Sequence, residues 1–177
     1  LATLDIKFVP DPVLRRKARP VSQVDARIQR LLDDMLETMY ASQGVGLAAP
    51  QVGISQRVIV VDIGEGPIRV VNPKLTLLGD EEELATEGCL SIPGVVGDVW
   101  RSLRISVRGL DEQGRPLKLQ AEGFLARAFQ HEVDHLDGVL FVDKASDIRP
   151  VTTEDEPEEP AEDLEEGAPR AQTARSA

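Results

Sequence analysis

His131-Glu-Val-Asp-His135 places two imidazoles four positions apart with a carboxylate between them. In an α-helix that spacing leaves the two rings about 40° apart at ~100° per residue, so both leave one face and can chelate one metal ion. Glu132 then reaches a water on the same ion, where a carboxylate serves as general base. Either histidine alone reads as a satisfied core residue. Yet the chain has only two histidines, and both stand here with the glutamate correctly placed.

Two imidazoles do not complete a catalytic site; a third protein ligand is needed, with one position left open for water. A His six residues beyond the second would mark a metzincin protease, but Phe141 occupies that place and excludes the class. Glu154 stands where many zinc proteases draw a glutamate ligand, but it lies among interchangeable acidic neighbours and is set aside. Cys89, the only cysteine, is the remaining candidate. By itself it reads as a small buried hydrophobe. Gly88 before it permits close backbone approach, and a divalent cation stabilises a thiolate. A Cys/His/His set suits Fe(II), Zn, Ni or Co and does not name the metal.

These residues need elements to position them. Asp11-Pro12 reads as an N-cap followed by proline at the first helical position, opening a short helix through Arg16. A long helix is expected from Ala26 to Ser42 after an N-cap at Asp25. Its apolar stripe is Ile28, Leu31, Leu32, Met35, Leu36 and Met39, with Gly44 as the stop. Strands are expected at Val58–Asp62, at Ile68–Asn72, along Leu103, Ile105 and Val107, and near Leu117–Ala121 after a turn at Asp111–Gly114. A second long helix runs from Phe124 to Asp137 and stops at Gly138, so the His motif is helical. The pattern predicts an α+β fold: short antiparallel or mixed strands around a central metal-binding helix, plus a long N-terminal helix.

The charge of −11 is concentrated at one end. From Pro150 onward nine acidic residues face Arg170 and Arg175, which gives that segment −7. The division expected is one catalytic domain over 1–148 and an acidic Pro/Glu-rich tail over 149–177, disordered because it has little to bury. The mildly acidic body gives no electrostatic case for a nucleic-acid site. Apolar runs such as Val58–Val61 are too short for a bilayer, so no membrane partner is expected. One cysteine suits a reducing compartment, and no signal-peptide pattern is seen. The reading is cytoplasmic; a processed organellar form stays open, since the chain starts at Leu1.

Three segments together resemble the motifs of the peptide deformylase family, in the right order: Gly44-Val-Gly-Leu-Ala-Ala-Pro-Gln51, Glu87-Gly-Cys-Leu-Ser91 and Gln130-His-Glu-Val-Asp-His135-Leu-Asp-Gly138. The likeness runs from the N-terminal helix to about Asp143. It implies hydrolysis of the N-formyl group of formyl-methionyl nascent chains, with Cys89, His131 and His135 as ligands of one divalent ion. Fe(II) is the family's usual metal in the cell, with Zn, Ni or Co in its place after preparation. Glu132 is implied as general base and acid. The Gln51 amide and the Leu90 backbone N–H stabilise the oxyanion, each such donor being worth about 3 kcal/mol. Gly46 is implied to pair with the extended substrate, and Val45, Phe124 and Ala128 to line the methionine pocket. Glu87 with Arg101 resembles a family ion pair, and Gln130 a supporting residue. Some bacterial relatives end in a basic helix suited to the ribosome; here the end is acidic, so a transient ribosome contact would not use the tail, which reads as a solubilising or regulatory appendage. Deleting 150–177 is expected to leave the rate unchanged.

Two other readings stay open. A conventional zinc peptidase requires a third His or Glu and no role for Cys89. A non-catalytic relative that binds formylated N-termini is disfavoured because Glu132, Cys89 and Gln51 are all present.

Overall fold

The computed structural model describes residues 2–152 and Asp155. Pro12–Arg15 forms one 3₁₀ turn, with the Asp11 carboxylate accepting from the Val13 N–H as an N-cap. Helix α1 (Ala26–Ala41) is capped in the same way by Asp25, which accepts from the Ile28 N–H at 3.0 Å. All six stripe residues are buried. The stop differs from expectation. Gln43 takes the left-handed position (φ 56°), and Gly44 follows it, donating its N–H to the Met39 carbonyl. This is a Schellman ending with glutamine at its left-handed residue. Gly44 is small for another reason: a Cβ there would lie 2.9 Å from Leu90 Cδ1.

Five strands form one antiparallel sheet in the order β1 (Gly46–Ala48), β2 (Val58–Val61), β3 (Ile68–Leu77), β6 (Arg104–Leu110) and β7 (Pro116–Glu122). Every residue of β2 is fully buried. Val58 and Val60 pack with the α1 stripe, whereas Ile59 and Val61 pack with Phe129 and Leu136 of α2 (Gly123–Leu136). A strand buried on both faces reads as an unbroken apolar run. Full burial of each such side chain is worth about 1.5–3 kcal/mol. The sheet is thus a wall between the two helices.

Strand β3 runs past the expected boundary at Asn72. A bulge between Val71 and Lys74 absorbs Pro73, with Asn72 at φ 52° and its side chain bonded to both the N–H and carbonyl of Val21. Proline survives in a ladder at such an irregularity. A second antiparallel sheet orders β4 (Glu82–Cys89), β5 (Ile92–Ser102) and β8 (Ser146–Pro150). Both sheets are purely antiparallel, and β3 and β5, at 10 and 11 residues, are not short. The fold is mixed α+β with antiparallel sheets and two long helices. Among the described residues no helix is long and apolar enough to cross a membrane.

Arg149 and Pro150 do not belong to the tail. They pair with Val96 and Val95 of β5, and the Val151 N–H continues the contact to the Gly94 carbonyl. Backbone pairing holds this segment where its composition offers little to bury. The rest of the expected tail, Glu154 included, lies outside the described residues, apart from Val151, Thr152 and Asp155.

Gly138 (φ +73°) follows the Asp137 C-cap of α2, and a Cβ there would lie 2.5 Å from the Arg15 carbonyl oxygen. Gly138→Val combines a left-handed backbone with that collision, and should destabilise the protein by about 2 kcal/mol or more. A urea unfolding midpoint equal to that of the parent chain would contradict this.

Candidate metal centre

Arg127, His131 and His135 recur every four positions on α2 and so form one stripe. The stripe packs on the β4–β5 hairpin, whose tip carries Cys89. Cys89 Sγ lies 3.4 Å from His135 Nε2, which lies 3.2 Å from His131 Nε2. All three ligand atoms fall within 4.8 Å of one another. A tetrahedral ion with metal–sulfur and metal–nitrogen bonds of ordinary length needs ligand atoms about 3.3–3.6 Å apart. The donor set and its spacing therefore fit a divalent cation.

Neighbouring groups prepare the rings. Glu87 Oε1 engages His131 Nδ1 at 2.8 Å, which leaves the Nε2 lone pair facing the site. His135 lacks such support: its Nδ1 is buried without a partner among the described residues. Burial holds His135 well below its ordinary pKa, in the neutral form that a ligand needs. Burial acts the same way on His131, but Cys89 and Glu87 outweigh it and raise that ring well above its ordinary value.

Burial also opposes charge on Glu87, yet Arg101 and His131 hold its carboxyl well below the usual carboxylate range. Arg101 grips it with two bonds of 2.9 Å and reaches Asp134 on α2 as well. A second guanidinium, Arg127, donates to Glu87 Oε2 at 2.6 Å. The resemblance anticipated Arg101 but not Arg127, whose four-residue step to His131 was the available signal. Gln130 lies outside the cleft and clamps α2 to β5, donating to the Ser102 carbonyl at 2.8 Å and accepting from its N–H at 3.1 Å.

A cleft of about 560 Å³ opens over the ligands. Val45, Gly46, Gln51, Cys89, Leu90, Phe124, Ala128, His131 and Glu132 all line it, while His135 lies behind, 1% exposed. Val45 and Phe124 are exposed and Ala128 is buried. Gln51, in the turn after β1, accepts the Ala48 N–H at 3.0 Å and donates to Ser91 Oγ at 3.1 Å, so its amide is fixed near the sulfur. Glu132 is 4% exposed, its Oε2 has no partner among the described residues, and burial pushes its carboxyl up to about 7. Val151 and Asp155 also line the cleft, which the composition of that segment did not suggest.

A Cys/His/His donor set beside a buried carboxylate, at the floor of an open cleft, has the make-up of a metal-dependent hydrolase. The family model described as polypeptide deformylase matches residues 3–151, and the chain belongs to that family. A peptide deformylase of Symbiobacterium thermophilum is 53% identical over 165 residues, covering 92% of this chain and 76% of that relative. The crystal structure of peptide deformylase from Thermotoga maritima superposes with a TM-score of 0.80 at 46% identity, over 82% of this chain and 99% of that one. One from Synechococcus elongatus, in complex with actinonin, gives 0.78 at 48% identity, over 81% and 79%. The family removes the N-formyl group from nascent peptides.

Gly46 sets the position of the carboxylate, since a Cβ there would lie 2.6 Å from Glu132 Oε1. Gly46→Ala should keep stoichiometric metal while losing about 10²-fold in kcat, the scale expected when a reacting group moves by an ångström. Metal analysis alongside formate release tests this, and an unchanged rate contradicts it.

Proposed function

We propose that Cys89, His131 and His135 hold one divalent ion and that Glu132, Gln51 and the Leu90 backbone N–H carry out deformylation of N-formyl-methionyl peptides. The observation that supports this reading is the convergence of the three ligand atoms beside the unpartnered Glu132 carboxylate. When bound, such an ion acts as a Lewis acid and brings the pKa of a coordinated water towards about 7.

Gly46 aligns the substrate backbone in strand-like fashion, and Val45, Phe124 and Ala128 receive the methionine side chain. Glu132 takes a proton from the attacking water as its oxygen bonds to the formyl carbon. The carbonyl oxygen gains negative charge, which the Gln51 amide and the Leu90 N–H stabilise. Glu132 then returns the proton to the amine nitrogen; the carbon–nitrogen bond breaks, and a free N-terminus leaves with formic acid, which gives up its remaining proton to become formate. A carboxyl already displaced upward by burial suits this two-way transfer.

Fe(II), which the family resemblance implies, is the ion we assign in the cell, with Zn, Ni or Co as replacements that one thiolate and two imidazoles also accept. Helix α2 serves as the central metal-binding helix, with α1 the long N-terminal helix behind the sheet. We place the enzyme in the cytoplasm, with a transient ribosome contact that avoids the acidic segment. The zinc-peptidase alternative is disfavoured by the sulfur's place among the ligand atoms.

Cys89→Ala should abolish stoichiometric metal. Glu132→Ala should retain metal and lose at least about 10²-fold in formate release from a formyl-Met peptide. Full metal in Cys89→Ala, or full rate in Glu132→Ala, defeats the assignment. We assign residues 1–152, β8 included, as the catalytic unit, with Asp155 adding to its cleft, and the acidic remainder as an appendage. A cut at 150 would remove part of the cleft wall, so the informative truncation begins after Asp155. That shortened chain should deformylate a neutral formyl-Met peptide at the parent rate; a large loss refutes the appendage assignment.

A further inference from the structure

Arg127 is 6% exposed, and a cation this deeply buried is seldom found without partners. It stands one helical turn before His131, on the same stripe of α2. Its Nη1 donates to Glu87 Oε2 at 2.6 Å and to the Val99 carbonyl at 2.9 Å, and its Nη2 donates to the Glu83 carbonyl at 2.7 Å. Glu83 and Glu87 belong to β4, the strand that ends in Cys89, and Val99 belongs to β5. One side chain from the ligand-bearing helix therefore grips both strands of the ligand-bearing hairpin.

Charge balance alone does not account for it. Arg101 already meets Glu87 in a two-bond fork, and both residues sit on the hairpin. Arg101 also reaches Asp134 on α2, and Glu87 reaches His131, but neither of those contacts holds the strand backbone. Arg127 ties hairpin to helix on the ligand stripe, and it does so through backbone carbonyls, whose positions follow the strands themselves. Its planar fork of donors serves a carboxylate and two carbonyls together, an arrangement that a lysine's compact ammonium does not reproduce.

We propose that Arg127 is a positioning residue, setting the distance between the Cys89 sulfur and the imidazole pair and, through Glu87, the direction of the His131 lone pair. The proposal rests on the metal-site reading above. Arg127 also borders the cleft, but every hydrogen bond it makes goes to the hairpin, and it acts through the hairpin and through Glu87.

The test uses the full chain, emptied of metal and refilled anaerobically with Co(II), as the parent and as Arg127→Met, Arg127→Gln and Arg127→Lys. Chelator competition measures affinity, the sulfur-to-cobalt absorption band reports the thiolate bond, and kcat and KM are taken with a formyl-Met peptide. Arg127→Met should bind Co(II) about 10–100-fold more weakly, as expected when a group supporting a metal ligand is lost. Its sulfur-to-cobalt band should shift or weaken, kcat should fall more than KM rises, and Arg127→Lys should lie between it and the parent. A folded Arg127→Met with parental affinity and spectrum overturns the proposal, even if its unfolding midpoint drops. Should Arg127→Met fail to fold, Arg127→Gln and Arg127→Lys decide by the same readouts. If the parent itself binds no ion, the metal-site reading fails instead, and this proposal with it.

Discussion

The docking of the β4–β5 hairpin onto α2 is the constraint on which everything else depends. Neither element holds a complete set of donors: the sulfur belongs to one and both imidazoles to the other. What joins them is a buried charge cluster in which Glu87 meets Arg101, Arg127 and His131, while Arg101 also reaches Asp134. Burying such groups costs several kcal/mol per ion, and their mutual attraction offsets this only with good geometry and every hydrogen bond made. An apolar contact of similar area would hold the hairpin as firmly but tolerate sliding. Directional bonds to carboxylates and carbonyls do not, and a centre built from two separate elements needs that register.

The second constraint is crowding around Glu132. The carboxylate is buried and lies against Gly46 so closely that a methyl group would not fit between them. Strand β1 thus both borders the cleft and limits where the carboxylate can sit. Gln51 follows in the next turn, its amide orientation set by the Ala48 N–H on one side and Ser91 on the other. An amide held by two partners in this way has its orientation fixed before anything enters the cleft.

Much of this was legible because some signals are self-contained. The α1 stripe and the two histidines four apart depend only on helical periodicity, and each lies within one element. The β4–β5 hairpin was not legible. Gly88, Gly94 and Gly97 interrupt its alternation, and Glu87 and Arg101 are buried where apolar residues would announce a strand. Arg127 was missed because a lone arginine on a helix reads as solvent-facing until its partners on another element are known. At β3, Pro73 argued for an end, whereas the Asn72 bulge carries the strand through. The expected tail boundary erred for the same kind of reason: Arg149 and Pro150 are held by β5, a partner some fifty residues away in sequence.

The sheet between the helices has one further consequence. Strand β2 has no spare face, for its four residues are divided between the packing of α1 and that of α2. The two helices are therefore separated by a single layer of backbone. Substitutions accumulating on the far side of that layer do not stay remote, since dense interiors transmit strain. A change of volume in the buried stripe of α1 is therefore felt through β2 by the residues of α2, while the exposed face of α1 is free of that coupling.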